Sequence, residues 1–274
     1  MKKQKINPII RPVMESFQTA YYQTKNFAEN RGSMAMNGLL VMGDAGTGKS
    51  HWVKQALRDA GVQKDVEMLK GGTITAASLY VKLYLNRHAG RIIVLDDVDI
   101  IGHPEKNKIV PLILGVVQEG KNRECCWNTA KRNALMEEYD VPMEFVFNGT
   151  VIVITNYTTE NIAEKLTQWK GAFKSRFINV ECVFNHEQKY LYTKHLVENE
   201  AMLGANCRVH EYKIGKEKLQ GYPEEVVEET MDFIDDNYMN FTDITPRVAI
   251  SIADVIFYNK DKSQKRIMLN NLVK

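Results

Sequence analysis

The sequence predicts an α/β nucleotide-binding fold, in which helices cover both faces of a parallel sheet. The segment Gly43 to Ser50, GDAGTGKS, fits GxxxxGK[ST] at every fixed position, and the apolar run from Gly38 to Met42 before it has the composition of a strand. Strand and helix patterns then alternate to about residue 184. Such alternation is typical of parallel sheets built from strand–helix–strand units.

The motif after the first strand predicts a site for nucleotide phosphates. Its glycines let the backbone curl, so that successive N–H groups and a helix N-terminus point at one phosphate. Lys49 supplies a positive charge, and Ser50 supplies a hydroxyl ligand for Mg²⁺. A glycine-rich turn that a lysine happens to follow is the alternative, but the flanking strand and helix patterns favour nucleotide binding. The candidate residues are Gly43, Asp44, Ala45, Gly46, Thr47, Gly48, Lys49 and Ser50.

Composition narrows the class of protein. The 274 residues provide for one large domain or two smaller ones, and the net charge of +2 by itself implies neither nucleic acid nor membrane. The four cysteines lack metal-ligand spacing, which suits free thiols in a reducing compartment. Because no apolar run approaches the roughly 20 residues that cross a bilayer, we expect a soluble, cytoplasmic protein without membrane contact.

The remaining pattern divides the chain into two parts. Helical patterns cover residues 17–30, 50–59, 75–88 and 106–118, and strand patterns cover 34–42, 66–69, 91–95 and 150–155. Residues 145–147, the turn Asn148-Gly149 and residues 151–154 have the composition of a β-hairpin, and we expect this hairpin to be inserted just before a core strand. Beyond Phe184 the pattern is purely helical, at 186–202, 223–238 and 246–258. We therefore expect an α/β nucleotide-binding domain at 1–184 and an all-helical domain at 185–274.

Two apolar strands end in polar side chains that suit phosphate chemistry. The strand before Asp96 and Asp97 is continuously apolar, and the carboxyl ends of such strands are where open α/β sheets bind ligands. We expect Asp96 to hold Mg²⁺ through water and Asp97 to act as the general base, with Asp99 as a competing candidate. Asn156 follows the later strand, where its amide could orient the attacking water or contact the γ-phosphate. It could equally be a capping or turn residue.

The order of these motifs resembles that of AAA+ ATPases, from about residue 17 to residue 258. The resemblance implies a parallel five-stranded sheet, a small helical lid, and ATP with Mg²⁺ as the bound cofactors. It makes Gly43 to Ser50 the Walker A motif, Asp96 and Asp97 Walker B, and Asn156 sensor 1.

Two arginines also take roles from this resemblance. Arg176, in the segment AFKSRF, would be an arginine finger that reaches a neighbouring subunit's nucleotide, and Arg247 would be sensor 2 on the lid. A surface ion pair is the alternative for each of them. An arginine that acts in trans implies a homo-oligomeric ring, which in this family most often has six subunits.

The chain departs from the commonest AAA+ pattern at two places. Asp97 stands where a glutamate is usual, so its reach is shorter by one methylene. The aromatic pore loop of protein unfoldases is replaced by Lys70-Gly71-Gly72-Thr73-Ile74, and Tyr80-Val81-Lys82 is only a partial match. The segment from Lys70 to Tyr80, together with residues 145–156, is similar to small stand-alone AAA+ proteins of bacteriophages and bacteria, so we expect the cytoplasm of a bacterium or of a phage-infected host.

The sequence is compatible with three functions. The first is an oligomeric ATPase that loads or remodels a macromolecule in DNA metabolism, favoured by the inserted hairpin, the basic chain ends and Lys70. Solvated termini explain the basic ends better than a contact with a phosphate backbone does. The second is a remodeller or adaptor that grips a polypeptide through central loops that include Tyr80, and the third is an assembly switch that hydrolyses ATP slowly because Asp97 replaces the glutamate.

Overall fold

The computed structural model describes residues 6–31, 34–120, 123–128, 131–207, 210–214, 217–259 and 261–273. Two compact units divide the chain. The first, here the sheet unit, comprises residues 15–45 and 49–183. The second, here the lid unit, comprises the segment that ends at Met14, residues 46–48 and residues 184–274.

The elements up to residue 183 alternate strands with helices. In chain order they are α1 (Arg11–Glu29), β1 (Gly38–Gly43), α2 (Lys49–Asp59), β2 (Val66–Lys70), α3 (Ala76–Leu85), β3 (Ile92–Asp96), α4 (Lys106–Val116), β4 (Arg123–Cys126), α5 (Ala134–Glu138), β5 (Glu144–Phe147), β6 (Thr150–Ile154), α6 (Thr159–Lys165), α7 (Lys170–Arg176) and β7 (Ile178–Cys182). Short 3₁₀ helices lie at Pro8–Ile10 and Gln63–Asp65.

Five parallel strands form the central sheet in the order β2-β3-β6-β1-β7. Every residue of β1, β3 and β6 is buried, which explains their continuous apolar composition. Val153 of β6 is in register with Leu40 of β1 on one side and Leu95 of β3 on the other. The sheet confirms the predicted parallel five-stranded α/β fold, and its order brings the ends of β1, β3 and β6 to one edge.

The structure confirms a β-hairpin inserted before β6, but the hairpin is formed by β4 and β5, and the predicted pairing of residues 145–147 with residues 151–154 is wrong. β5 pairs antiparallel with β4, with Phe145 opposite Cys125, whereas residues 150–154 form β6 inside the main sheet. Because β6 already has β3 and β1 as neighbours, it has no free edge for β5. Asn148-Gly149 instead carries the chain from the hairpin into the sheet, and the Asn148 N–H donates to the carbonyl of Arg87 at 2.6 Å.

The lid unit contains four helices and one pair of strands among its described residues. Its elements are α8 (His186–Glu200), β8 (Glu211–Ile214), β9 (Glu217–Gln220), α9 (Glu224–Asn237), α10 (Pro246–Tyr258) and α11 (Lys262–Leu272), with a 3₁₀ helix at Tyr238–Asn240. The C-terminal region is helical, as predicted, but it also contains one short antiparallel pair, β8 and β9, which the sequence pattern did not indicate. Their sequence, EYKI and EKLQ, has too few apolar residues for an alternating strand pattern to be visible.

Local sequence signals set the helix ends in the lid unit. Asn185 forms a capping box with Gln188 at the start of α8, and the Thr245 side chain accepts from the Val248 N–H at the start of α10. Apolar residues of α9, α10 and α11 share one core, namely Ile234, Ala249, Ile252, Ile256 and Leu269.

The N-terminal segment is grouped with the lid unit, although the sequence placed it in the α/β domain. The Ile9 carbonyl accepts a hydrogen bond from Gln188 Nε2 of α8 at 3.5 Å. The domain limits at 1–184 and 185–274 stay predictions. In the part of the chain that the structure describes, no helix is both long and apolar enough to span a bilayer.

Candidate functional site

The loop between β1 and α2 has the backbone of a phosphate cradle. Gly43 and Gly46 have φ values of +130° and +74°, in the left-handed region that favours glycine. A Cβ on Gly43 would lie 2.0 Å from the backbone oxygen of Cys182, so β7 passes too close for any side chain. A Cβ on Gly46 would lie 2.9 Å from the Thr245 hydroxyl oxygen. Gly43 is therefore required by a backbone contact as well as by its conformation, and Gly46 is favoured by its conformation.

The motif lysine is buried and surrounded by oxygen atoms. Lys49 is only 4% exposed, and its Nζ donates to the carbonyls of Gly43 at 2.8 Å and Asp44 at 2.6 Å. It also donates to Oδ1 of Asn156 at 3.1 Å. The structure thus brings together the lysine of the loop and the amide that follows β6, two residues that are 107 positions apart. An ammonium group that already faces three oxygens is well placed to exchange them for phosphate oxygens.

Ser50 and Asp96 form the second contact between the loop and the strand ends. Ser50 Oγ donates to Asp96 Oδ1 at 2.5 Å, and Asp96 is 6% exposed. A hydroxyl that donates its proton to a carboxylate keeps its oxygen lone pairs for a metal ion. Hydroxyl and carboxylate oxygens are ligands of the hard type that Mg²⁺ prefers. The two side chains therefore fit the predicted Mg²⁺ site.

The protein alone offers few metal ligands. Among the described residues, no three His, Cys, Asp or Glu side chains are grouped so as to hold a metal ion. A Mg²⁺ ion at Ser50 and Asp96 would thus need further oxygens from phosphate and water, as is usual for this ion.

Lys54 also contacts Asp96, although it belongs to no sequence motif and the sequence did not predict a role for it. Nζ of Lys54 lies 2.6 Å from Oδ2 of Asp96. Lys54 follows Ser50 by one helical turn, so both side chains lie on the same face of α2. A lysine in an amphipathic helix ordinarily faces solvent, and only the spacing from Ser50 gave a signal that this one turns toward the strand end.

The two candidate bases differ in their surroundings. Asp97 is exposed and has a φ of +58°, and its N–H donates to the carbonyl of Ile154 at 3.1 Å. Non-glycine residues seldom adopt this conformation, although aspartate tolerates it better than most. Asp99 is engaged instead, because its Oδ1 accepts from the Gly102 N–H at 2.7 Å and from the Tyr157 hydroxyl at 3.4 Å. Asp97, which directly follows Asp96, is therefore the exposed carboxylate of the two and the better candidate for the base.

The two arginines have different environments. Nη1 of Arg176 donates to the carbonyl of Leu114 at 2.8 Å, in the last turn of α4. This bond satisfies one of the carbonyls that a helix leaves unpaired at its C-terminus. Arg247 is exposed in the first turn of α10, and its Cβ lies 3.5 Å from the position that a Cβ on Gly46 would occupy. Within the lid unit, Arg247 is thus adjacent to the tip of the phosphate loop.

Tyr80 cannot grip a polypeptide, contrary to the partial pore-loop match. Its side chain is 0% exposed, and its hydroxyl donates to the carbonyl of Pro142 at 3.0 Å. Its ring packs against Trp127 and Phe145, with centroids 5.3 and 5.0 Å away, and burial raises the pKa of the phenol. Tyr80 is a core residue that joins α3 to the β4–β5 hairpin.

The exposed loop after β2 is bonded to the acid pair. Residues 70–73 are exposed, and Gly71 donates its N–H to the carbonyl of Asp96 at 2.8 Å. The Asp99 N–H donates to the Gly72 carbonyl at 3.5 Å. A displacement of this loop would therefore act on the backbone that carries Asp96, Asp97 and Asp99.

The sheet order, the loop between β1 and α2, and the polar ends of β3 and β6 are those of the P-loop α/β fold of AAA+ type. No model of a known protein family matches the chain. A protein of Enterobacteria phage T4, the uncharacterized 36.7 kDa protein in the nrdC-mobD intergenic region, is 25% identical over 229 residues. The match covers 81% of this chain and 64% of that protein, so the chain spans just under two thirds of its relative's length.

Solved structures with a similar fold include two DnaA proteins and an ORC2 protein. Domain III of Thermotoga maritima DnaA is 13% identical, with a TM-score of 0.48 over 99% of this chain and 100% of that chain. AMPPCP-bound DnaA from Aquifex aeolicus is 15% identical, with a TM-score of 0.48 over 98% and 71%. The ADP form of Aeropyrum pernix ORC2 is 12% identical, with a TM-score of 0.49 over 98% and 70%. At these identities the likeness concerns the fold, and function has to be inferred from this chain's own residues.

Proposed function

We propose that the protein is an ATPase that binds ATP with Mg²⁺ and hydrolyses it to ADP and phosphate. The observation that carries this proposal is the set of hydrogen bonds that joins Lys49 to Asn156 and Ser50 to Asp96 at one edge of the sheet. A purely structural glycine turn has no use for a buried lysine, a hydroxyl and a carboxylate in this arrangement.

Each residue of the site has a chemical task in this proposal. The loop N–H groups and Lys49 bind the β- and γ-phosphates, and Ser50 and Asp96 hold the magnesium ion. Mg²⁺, when bound, neutralises phosphate charge. Asp97 accepts a proton from the attacking water, and Asn156 orients that water beside the γ-phosphate.

Turnover tests this assignment. Asp97→Asn removes the base while it keeps a residue that tolerates a positive φ, so ATP should still bind and hydrolysis should fall about 100-fold or more. Asp99→Asn is the matched control, because its carboxylate is occupied by Gly102 and Tyr157. Unchanged turnover in Asp97→Asn, with loss in Asp99→Asn, would transfer the role to Asp99.

We further propose that the protein works as a homo-oligomeric ring, most simply of six subunits, in which Arg176 acts on the neighbour's nucleotide. The guanidinium would leave the Leu114 carbonyl on assembly and stabilise transition-state charge in trans. Arg176→Ala should then bind ATP without turning it over, whereas Lys174→Ala, an exposed charge in the same helix, should stay active.

A mixing experiment separates action in trans from action in cis. Arg176→Ala supplies an intact phosphate loop, and Lys49→Ala supplies an intact arginine. Mixed oligomers should therefore recover part of the lost turnover. No recovery at any mixing ratio would contradict a trans arginine.

The macromolecule on which the ring acts is, in our proposal, DNA rather than a polypeptide. Lys70 ends β2 at an exposed loop whose next residue is bonded to Asp96, so a phosphate backbone bound there would act directly on the metal-side strand. The buried Tyr80 removes the feature that suggested polypeptide binding. The proposed setting is phage or bacterial DNA metabolism in the host cytoplasm, which agrees with a phage relative.

Stimulation of ATP turnover by DNA distinguishes the functions. Single-stranded or duplex DNA should raise turnover, and the effect should weaken steeply with salt. Lys70→Ala should reduce the stimulation, whereas Lys64→Ala, an exposed lysine just before the opposite end of β2, should not. Stimulation by unfolded protein alone would favour the polypeptide remodeller, and ATP-dependent assembly with negligible turnover would identify the slow switch.

A further inference from the structure

The carboxylate of Asp96 is fully engaged by two residues of α2. Ser50 Oγ donates to Oδ1 at 2.5 Å, and the Lys54 ammonium lies 2.6 Å from Oδ2. The Asp96 side chain is 7% exposed and the Lys54 side chain 30%. This ion pair is thus built around a nearly buried acid and differs from an ordinary surface pair.

A buried carboxylate stays ionised only when opposite charge or hydrogen bonds replace the lost water. Lys54 provides that charge from α2, the helix that follows the phosphate loop. The Asp96–Lys54 pair therefore has no net charge, and a divalent cation that arrives alone meets a carboxylate that is already neutralised. A cation that arrives on a nucleotide brings its own negative phosphates and needs little attraction from the protein.

We propose that Lys54 is a positioning residue, the internal counter-ion of Asp96, and that it makes occupation of the metal site dependent on nucleotide. It holds Asp96 oriented toward Ser50 and suppresses binding of free divalent cations. This inference rests on the proposed function in so far as Ser50 and Asp96 form the Mg²⁺ site of an ATPase.

Manganese alone tests the counter-ion role without any turnover. Mn²⁺ is added to the nucleotide-free full-length protein, and free Mn²⁺ is measured by electron paramagnetic resonance. Lys54→Met removes the charge and keeps an unbranched side chain only one atom shorter, so Asp96 should bind Mn²⁺ about tenfold more tightly than in the wild type, which is the order that one nearby unit charge contributes. Lys54→Arg keeps the charge and should behave as the wild type does.

Two controls assign the effect. Arg58→Met removes the same charge one turn further along α2, where its guanidinium contacts Gln55, and should leave Mn²⁺ binding unchanged. Adding Asp96→Asn to Lys54→Met should abolish the gained binding. Lys54→Gln provides a second neutral variant should Lys54→Met fail to fold.

Two outcomes would overturn the counter-ion role. One is Mn²⁺ binding by the folded neutral variants that is no tighter than that of the wild type, and the other is a gain that survives Asp96→Asn. Failure of the wild type to bind ATP would overturn the proposed function instead. A gain in Mn²⁺ binding that depends on Asp96 would still stand, because no nucleotide is present in this measurement.

Discussion

Gly43→Ala tests how closely β7 approaches the phosphate loop, because the contacts of the added methyl group give the expected loss of unfolding free energy. In Gly43→Ala, the new Cβ would lie 2.0 Å from the oxygen and 2.5 Å from the carbon of the Cys182 carbonyl. Both atoms belong to the backbone of β7, so no side chain can move aside. β7 must shift, and the hydrogen bond from the Asp44 N–H to this oxygen, at 3.3 Å, is lost.

The expected destabilisation has two parts. A non-glycine residue in the left-handed region costs roughly 1–2 kcal/mol, and the displaced strand with its lost hydrogen bond adds about 2–3 kcal/mol. Gly61→Ala is the matched control, since Gly61 also has a positive φ, +68°, but no atom lies within 4 Å of the position that its new methyl group would take. Both variants place a side chain at a positive φ, which is strained further at +130° than at +68°, and only Gly43→Ala adds the collision. The loss of unfolding free energy should therefore be larger in Gly43→Ala by at least about 2–3 kcal/mol.

Urea denaturation followed by tryptophan fluorescence measures this difference. The three tryptophans, Trp52, Trp127 and Trp169, all lie in the sheet unit, as do Gly43 and Gly61. Equal loss of unfolding free energy in Gly43→Ala and Gly61→Ala would refute the close approach of β7 to the phosphate loop.

Further predictions concern the base, the core and the thiols. Asp97→Asn should change the free energy of unfolding by less than about 0.5 kcal/mol, because asparagine also tolerates a positive φ, and a larger loss in urea denaturation would contradict this. Tyr80→Phe loses the bond to Pro142, so it should cost about 1 kcal/mol and leave stimulation by DNA unchanged. If folded Tyr80→Phe lost the stimulation of ATP turnover by DNA, Tyr80 would have a role in substrate binding. Burial raises the pKa of the Cys125 and Cys182 thiols to about 12. Since the unfolded thiols ionise near pH 9, their contribution to stability is complete below that pH and should be lost as the pH rises from 9 toward 12. In the double variant Cys125→Ala/Cys182→Ala, the free energy of unfolding measured with urea should fall less between pH 9 and pH 12. An unchanged fall would contradict the role of these two thiols.

The sequence predicts the three central strands of the sheet well because they are buried on both faces, whereas the half-exposed edge strand β7 gave no strand pattern. β1, β3 and β6 read as continuous apolar runs, and the polar residues at their ends have no role in a core. Lys49, Asp96 and Asn156 were therefore recognisable as candidates before any contact was known. Their hydrogen bonds follow from the strand order, which places the ends of β1, β3 and β6 together.

The hairpin and the lid strands were harder to predict, for different physical reasons. Asn148-Gly149 is a strong local turn signal, but pairing depends on which strand edges remain free, and β6 has none. β8 and β9 are too short and too polar for a periodic pattern. Lys54 was missed because its role depends on the orientation of α2 against β3, which a linear pattern does not contain.

Equilibrium binding of a fluorescent ATP analogue tests whether Lys49 belongs to a phosphate site. With Mg²⁺ present, the wild type should bind the analogue saturably, and Lys49→Ala should bind about 100-fold more weakly or not at all, since charge-assisted contacts to phosphate are worth roughly 3 kcal/mol. Lys64→Ala, which removes an exposed charge away from the loop, should bind as the wild type does. Equal affinity in the wild type and folded Lys49→Ala would contradict a phosphate site at this loop.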